Sequence, residues 1–172
     1  MKKPVKGFNL IEVIVTLSIT SILSAITVPH LSTVLNHARS DSNIRSIQQL
    51  IQLGRNHAIS FSTRVTICPV EENRCINDWQ QGFTIFTDGG ESNVISGNDK
   101  IIYQKTAFNE EDIVYYNRKA IRFQPDGLAS GTNGTFRYCP DSFDSPYSKA
   151  VIINQSGRVR FSRKKTILCK PN

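Results

Sequence analysis

Residues 157–172 carry Arg158, Arg160, Arg163, Lys164, Lys165 and Lys170 and no Asp or Glu. Basic side chains packed this closely in sequence can hold a polyanion. Arginine suits phosphate in particular, because its planar guanidinium presents a fork of donors to two oxygens at once. In Gly157-Arg158-Val159-Arg160-Phe161 the types alternate. On a strand, Arg158 and Arg160 then share one face, roughly 6–7 Å apart, and Val159 and Phe161 share the other. That separation is close to the step between successive phosphates of one nucleic-acid strand. Val159 and Phe161 are expected to anchor in a core, and Arg163, Lys164 and Lys165 to extend the positive surface.

A second constellation lies at the other end. Lys2, Lys3, Lys6 and Gly7 precede an apolar run over 8–28 that is broken by one carboxylate, Glu12. A carboxylate inside a membrane-length segment costs about 2.5–3.5 kcal/mol on insertion scales, so it needs a purpose. Cleavage after Gly7 would set a new amino terminus about one helical turn from Glu12. Such a charge is neutralised in an assembly rather than in a lone subunit.

The third set is Cys68, Cys75, Cys139 and Cys169. Cysteine usage of this kind suits an oxidising compartment. Four cysteines allow three connectivities. The expected one is local, Cys68–Cys75 with Cys139–Cys169, closing a small loop and tying the tail onto a sheet. The spacings do not match zinc knuckles, and no histidine lies near them in sequence.

These groups need elements to hold them. The run over 8–28 would be roughly 31 Å of helix, enough to span a bilayer, with the lysines before it on the cytoplasmic side. Pro29 is expected to kink this helix without ending it. Beyond it, Leu31, Val34, Leu35, Ala38, Ile44, Ile47, Leu50, Ile51, Ala58 and Phe61 recur at helical steps. They predict an amphipathic continuation laid on a core. His30, His37 and His57 share no ligand-like spacing and read as surface or boundary residues. After Ser62 the pattern predicts strands over 64–68, 82–87, 100–104, 113–116, 120–124, 134–139, 150–154 and 158–162. Turn signals separate them, and residues 88–99 read as a flexible hairpin tip. Short, closely spaced strands imply antiparallel sheets packed on the helix, an α+β class. The organisation expected is residues 1–7 as a leader, 8–28 as the membrane half of the helix, and 29–172 as one globular domain.

Two resemblances follow from these residues. Lys6-Gly7-Phe8 with Glu12 and an apolar helix resembles the leader of type IV pilins and type II secretion pseudopilins. The resemblance implies that a prepilin peptidase cuts after Gly7 and methylates Phe8, and that Glu12 pairs with a neighbouring subunit's amino terminus. The succession Cys68-Pro69, Cys75, Asp78-Trp79, Gly82-Phe83, Phe86-Thr87-Asp88, Ile121-Arg122-Phe123, Pro125-Asp126-Gly127, Tyr138-Cys139 and Gly157-Arg158-Val159-Arg160 resembles the GspH/FimT family of minor pilins and pseudopilins. The family implies a long helix on two β-sheets. The Gly-Arg-x-Arg element resembles its FimT branch, minor pilins implicated in DNA uptake during natural transformation.

The expected function is therefore non-specific binding of double-stranded DNA in a competence pilus, through Arg158, Arg160, Arg163, Lys164 and Lys165. The alternative is a structural minor pseudopilin of a type II secretion system. Acidic lipids or lipopolysaccharide would satisfy the same electrostatics. The expected partners are DNA, other pilin subunits, the prepilin peptidase and the inner membrane before assembly. The expected location is the bacterial inner membrane with a periplasmic domain, then the cell surface. No base-reading helix is evident, so sequence specificity is not expected. Neither is catalysis: there is no nucleophile elbow, phosphate-cradling Gly-rich loop or His-Glu-x-x-His helix. Glu71-Glu72 and Glu110-Glu111-Asp112 read as solvated loop acids. Asp88, Glu91 and Asp99 lack the regular spacing of calcium loops. No cofactor or metal is expected.

Overall fold

A computed structural model of the chain describes Gly7 and residues 9–129 and 131–169; for residues 26–30 it describes the backbone alone. By internal contacts the chain forms two units, Met1–His37 and Ala38–Asn172. One helix, α1, spans Leu10–Ser60 and continues through Pro29.

In the first unit the helix opens at Asn9, whose carbonyl accepts from the amides of Glu12 (3.0 Å) and Val13 (3.3 Å). Ser18 and Ser24 return their hydroxyls to the carbonyls four residues back, so few polar groups break the apolar surface. Among the described residues no helix is long and apolar enough to cross a membrane. The run expected over 8–28 lies partly outside the described residues, at Phe8 and at the side chains beyond Ala25.

In the second unit α1 supplies Ile44, Ile47, Ile51 and Ala58 to the core, at helical spacing. The buried face is shorter than the sequence pattern suggests. Leu31, Val34, Leu35 and Phe61 are exposed, and so is Ala38. Phe61 stacks on His57 on the outside of the helix, with ring centroids 4.4 Å apart. At Gly54 the helix comes so close to the sheet that a Cβ would stand 2.8 Å from the Ile67 side chain.

The sheets follow in order. The first contains β1 (Val65–Cys68), β4 (Phe83–Thr87), β5 (Ile101–Lys105) and β7 (Ile121–Phe123), arranged β5-β4-β1-β7. Between β1 and β4 lies a small ribbon, β2 (Val70–Glu71) with β3 (Arg74–Cys75). The second sheet contains β6 (Ile113–Tyr116), β8 (Gly134–Cys139), β9 (Lys149–Ile153) and β10 (Val159–Phe161), arranged β10-β9-β8-β6. Every pairing is antiparallel. The class is α+β, a helix packed on antiparallel sheets.

Both sheets and the helix share one apolar cluster that includes Ile47, Ile67, Phe123, Phe136 and Val151. Trp79, on a 3-10 turn before β4, sits within it. Its ring meets Tyr116 and Phe136 edge-on, each at 5.3 Å between centroids. Its indole N–H donates to the Arg118 carbonyl at 3.2 Å, so the buried ring keeps its polar atom satisfied.

The loop over 88–99 is tied down, which corrects the reading of it as a free tip. Asp88 is buried, and its carboxylate accepts from Thr66 Oγ1 at 2.5 Å and faces Arg122 Nε at 3.5 Å. Arg122 also donates to Asn93 Oδ1 at 2.7 Å. Asp99 accepts from the amides of Gly89 (2.8 Å) and Ser96 (3.1 Å). The amide of Cys75 reaches the Asn93 carbonyl, and that of Ile95 the Asn73 carbonyl, so the β2–β3 ribbon grips the loop.

Both expected disulfides are present, Cys68–Cys75 and Cys139–Cys169. The first flanks the ribbon. The second joins the end of β8 to the tail that follows β10.

Candidate nucleic-acid interface

The Gly-Arg-Val-Arg segment forms the second half of a hairpin. Strands β9 and β10 pair with Val159 opposite Ile153, Arg160 opposite Ile152 and Phe161 opposite Val151. The turn is closed by the Gly157 amide on the Asn154 carbonyl (2.9 Å) and the Asn154 amide on the Arg158 carbonyl (3.0 Å). Gly157 adopts φ +76°, a left-handed conformation that glycine takes without steric cost.

Arg55 of α1 fixes where this turn sits. Its Nε donates to the Gly127 carbonyl at 3.1 Å and a terminal nitrogen reaches the Ser156 carbonyl at 3.4 Å. The Ala129 amide donates to the Gln155 carbonyl at 2.9 Å. The Pro125-Asp126-Gly127 turn and the hairpin turn are thus held together by one guanidinium from the helix.

Arg158 is exposed just before β10, and Arg160 is half-buried within it. Val159 is buried, as the alternation requires. Phe161 departs from expectation: it is 38 % exposed. It stands at the end of β10, the edge strand of its sheet.

After β10 the chain does not leave the domain. The Ser162 amide still bonds the Ala150 carbonyl at 2.8 Å, Ile167 is buried, and the Cys169 amide reaches the Phe143 carbonyl at 2.9 Å. Arg163, Lys164 and Lys165 are exposed on this strap. A groove runs along each side of it. One, about 370 Å³, lies towards α1 and is bordered by Ile44, Arg45, Phe161, Lys164 and Lys165. The other, about 400 Å³, lies over the sheet and is bordered by Thr135, Arg137, Ile152 and Lys164. None of Arg158, Arg160, Arg163, Lys164 and Lys165 forms an ion pair among the described residues. Lys170 lies outside the described residues.

Sequence reasoning missed two cations of this surface. Arg45 comes from the helix, four residues after Asp41, which pairs with Lys149. Arg137 comes from β8, where it lies 5.7 Å over the Tyr115 ring. The signal for Arg137 was present, because it alternates with the buried Phe136 and Tyr138. Arg45 carried no such signal, since its place beside the strap depends on tertiary packing.

Asp88, Glu91, Asp99, Glu111 and Asp112 have structural partners. Asp112, expected in a solvated turn, is buried: Arg39 stands 3.3 Å from one oxygen and the Tyr138 hydroxyl donates to the other. Asn43 donates to the Tyr138 hydroxyl at 2.9 Å. Burial, reinforced by the Asp112 contact, pushes the Tyr138 hydroxyl well above the usual phenol range. Of the calcium candidates, Glu91 faces Arg74 at 3.5 Å, while Asp88 and Asp99 are occupied as described above. Gly7 is exposed and Glu12 is exposed in the first turn of α1, near the positive end of the helix dipole. Phe8 lies outside the described residues.

A helix packed on two antiparallel sheets, with two bridges and a basic strap, defines a pilin-like protein. Residues 43–157 match the family described as Type II transport protein GspH, and the chain belongs to that family. The match ends at Gly157, so the basic residues that follow stand outside it. Two crystal structures of the type IV minor pilin FimU from Pseudomonas aeruginosa share the fold, both at 17% sequence identity. One aligns with TM-score 0.56 over 71% of this chain and 91% of that one. The other aligns with TM-score 0.57 over 78% and 92%. No curated protein matches the sequence.

Proposed function

We propose that the protein is a minor type IV pilin of the FimT kind, which binds DNA without sequence preference and promotes its uptake in natural transformation. In this reading a prepilin peptidase cuts after Gly7 and methylates Phe8. Residues 8–28 then anchor the subunit in the inner membrane until it joins other pilin subunits through Glu12. The globular domain faces the periplasm and, after assembly, the outside of the cell.

One observation carries the proposal: Arg158 and Arg160 on the hairpin, and Arg163, Lys164 and Lys165 on a strap fixed at both ends, form no ion pair among the described residues. A strap already ordered loses little further entropy when it grips a phosphate backbone. Contacts to phosphate carry no base information, so binding is sequence-independent.

The test is a salt titration of duplex DNA binding. Three to five phosphate contacts give a log–log slope of roughly −3 to −4. Changing Arg158 and Arg160 together to Gln reduces the slope by about 2 and leaves the fold intact. Unchanged affinity in a folded double variant removes the strap from the mechanism. The protein would then be read as a structural minor pseudopilin of a type II secretion system, a reading favoured by the description of its family.

A further inference from the structure

The groove between α1 and the strap differs from the rest of the basic surface. Its buried lining combines Ile44, Ala150 and Ile167 with Ser148, and the ring of Phe161 stands in it 38 % exposed. Its rim is cationic: Arg45 on the helix side, Lys164 and Lys165 on the strap side. The carboxylate on its border, Asp41, pairs with Lys149. At about 370 Å³ it is in the size range of a small-ligand pocket.

We infer that this groove takes an unpaired nucleotide of single-stranded DNA, with the base against Phe161 and the phosphates on Arg45, Lys164 and Lys165. The inference rests on the DNA-binding reading above and names the form of DNA that one part of the site prefers. An exposed aromatic ring among cations is how single-strand binders hold bases without reading their identity, since every base has a stacking face. A duplex cannot use this groove. Its bases are already stacked on one another, so it meets the basic residues of the hairpin and strap from outside and leaves Phe161 and Arg45 untouched. The two modes therefore separate on one surface. Duplex DNA lies across the hairpin and strap, and a frayed end or single-stranded stretch enters beside the helix.

The experiment uses the full chain in detergent micelles. Fluorescence anisotropy is read at one salt concentration with a short oligothymidylate and with a blunt-ended hairpin duplex. The single strand is expected to bind more tightly. Phe161→Ala is expected to weaken single-strand binding about tenfold, within the range for loss of one stacked base, and to leave duplex binding unchanged. Phe161→Trp is expected to retain both. Arg45→Gln, on an exposed helix position, is expected to weaken the single strand selectively and provides a second variant should Phe161→Ala fail to fold. Equal affinity of wild type for both forms overturns the inference, as does equal weakening of both by the variants. Displacement of the oligonucleotide by polyglutamate as readily as by unlabelled single strand also overturns it, by assigning the groove to an acidic peptide. Duplex binding with the salt slope given above but no single-strand preference removes the groove alone. Failure of both forms to bind removes the DNA reading with it.

Discussion

The carbonyl oxygen of Gly127 lies 1.9 Å from the point that a Cβ on Gly157 would occupy. The two turns therefore touch backbone to backbone, and the glycine of the Gly-Arg-Val-Arg element is required by packing as well as by its φ of +76°. Its two arginines are aimed by a contact that neither of them makes.

Gly157→Ala should destabilise the domain by about 2–3 kcal/mol, through left-handed strain and the clash with Gly127. Thermal denaturation checks this, with a fall in Tm of roughly 4–12 °C for a chain of this size. The same variant should weaken duplex DNA binding although it removes no charge, because the hairpin tip must shift. A Tm unchanged within 1–2 °C would mean that the two turns are not in contact.

Replacing Cys139 and Cys169 together by Ser should free one end of the strap. The 30-residue separation of this bridge gives a loss of roughly 3–4 kcal/mol in the chain-entropy model. Below the melting transition, DNA affinity should fall while the salt slope stays near its original value, since the cations remain and only their ordering is lost. A fall in slope equal to that of the double arginine variant would show instead that the strap had detached.

Alkaline stability should be set largely by two tyrosines. Tyr138 and Tyr116 are held above the ordinary phenol value of 10.0 chiefly by burial. The folded state thus keeps protons that the unfolded state releases. The stability involved is complete below about pH 10 and is lost as pH rises above it, by up to about 1.4 kcal/mol per pH unit for each tyrosine. Denaturant midpoints from neutral to strongly alkaline pH should fall from about pH 10 upward. Tyr116→Phe should flatten that decline, at the loss of the bond from its hydroxyl to the Thr132 carbonyl at 2.5 Å. A midpoint independent of pH across this window would refute the assignment.

Mass spectrometry of the mature protein should find Phe8 as its methylated first residue. Glu12→Ala should leave insertion into the membrane unchanged and reduce recovery of the subunit in sheared pili. A mature form that begins after Val28 would rule out the leader reading.

Most of the fold was legible because it rests on local pattern. The expected strand over 113–116 corresponds to β6, and that over 134–139 to β8, without a change of boundary. Ile44, Ile47 and Ile51 of α1 face the core at the expected spacing. The β2–β3 ribbon was not legible, since two-residue strands carry no periodicity, and it exists through Cys68–Cys75 and its grip on the 88–99 loop. Asp112 was misread because it follows Asn109-Glu110-Glu111, whereas its partners Arg39 and Tyr138 come from distant elements. Phe161 was misread for a related reason: alternation gives the face of a strand but not whether that strand lies at an edge. Within the candidate interface the arginines and lysines were visible as a charge run. The groove beside them was not, because it is made by the approach of α1 to the strap.

The Cys139–Cys169 bridge also has a mechanical meaning. Strand β10 is held to its sheet by a short ladder to β9 alone, a seam that peels readily when pulled from its end. A ligand tugging on Arg163–Lys165, however, pulls on a segment with two attachments. One is that seam; the other is a covalent strut into β8, which is flanked by strands on both sides. Tension is shared with an interior strand and enters its ladders as shear, so the bridge acts as a strain relief. For the DNA proposed above as its cargo, a long polymer drawn under load, that is a useful property.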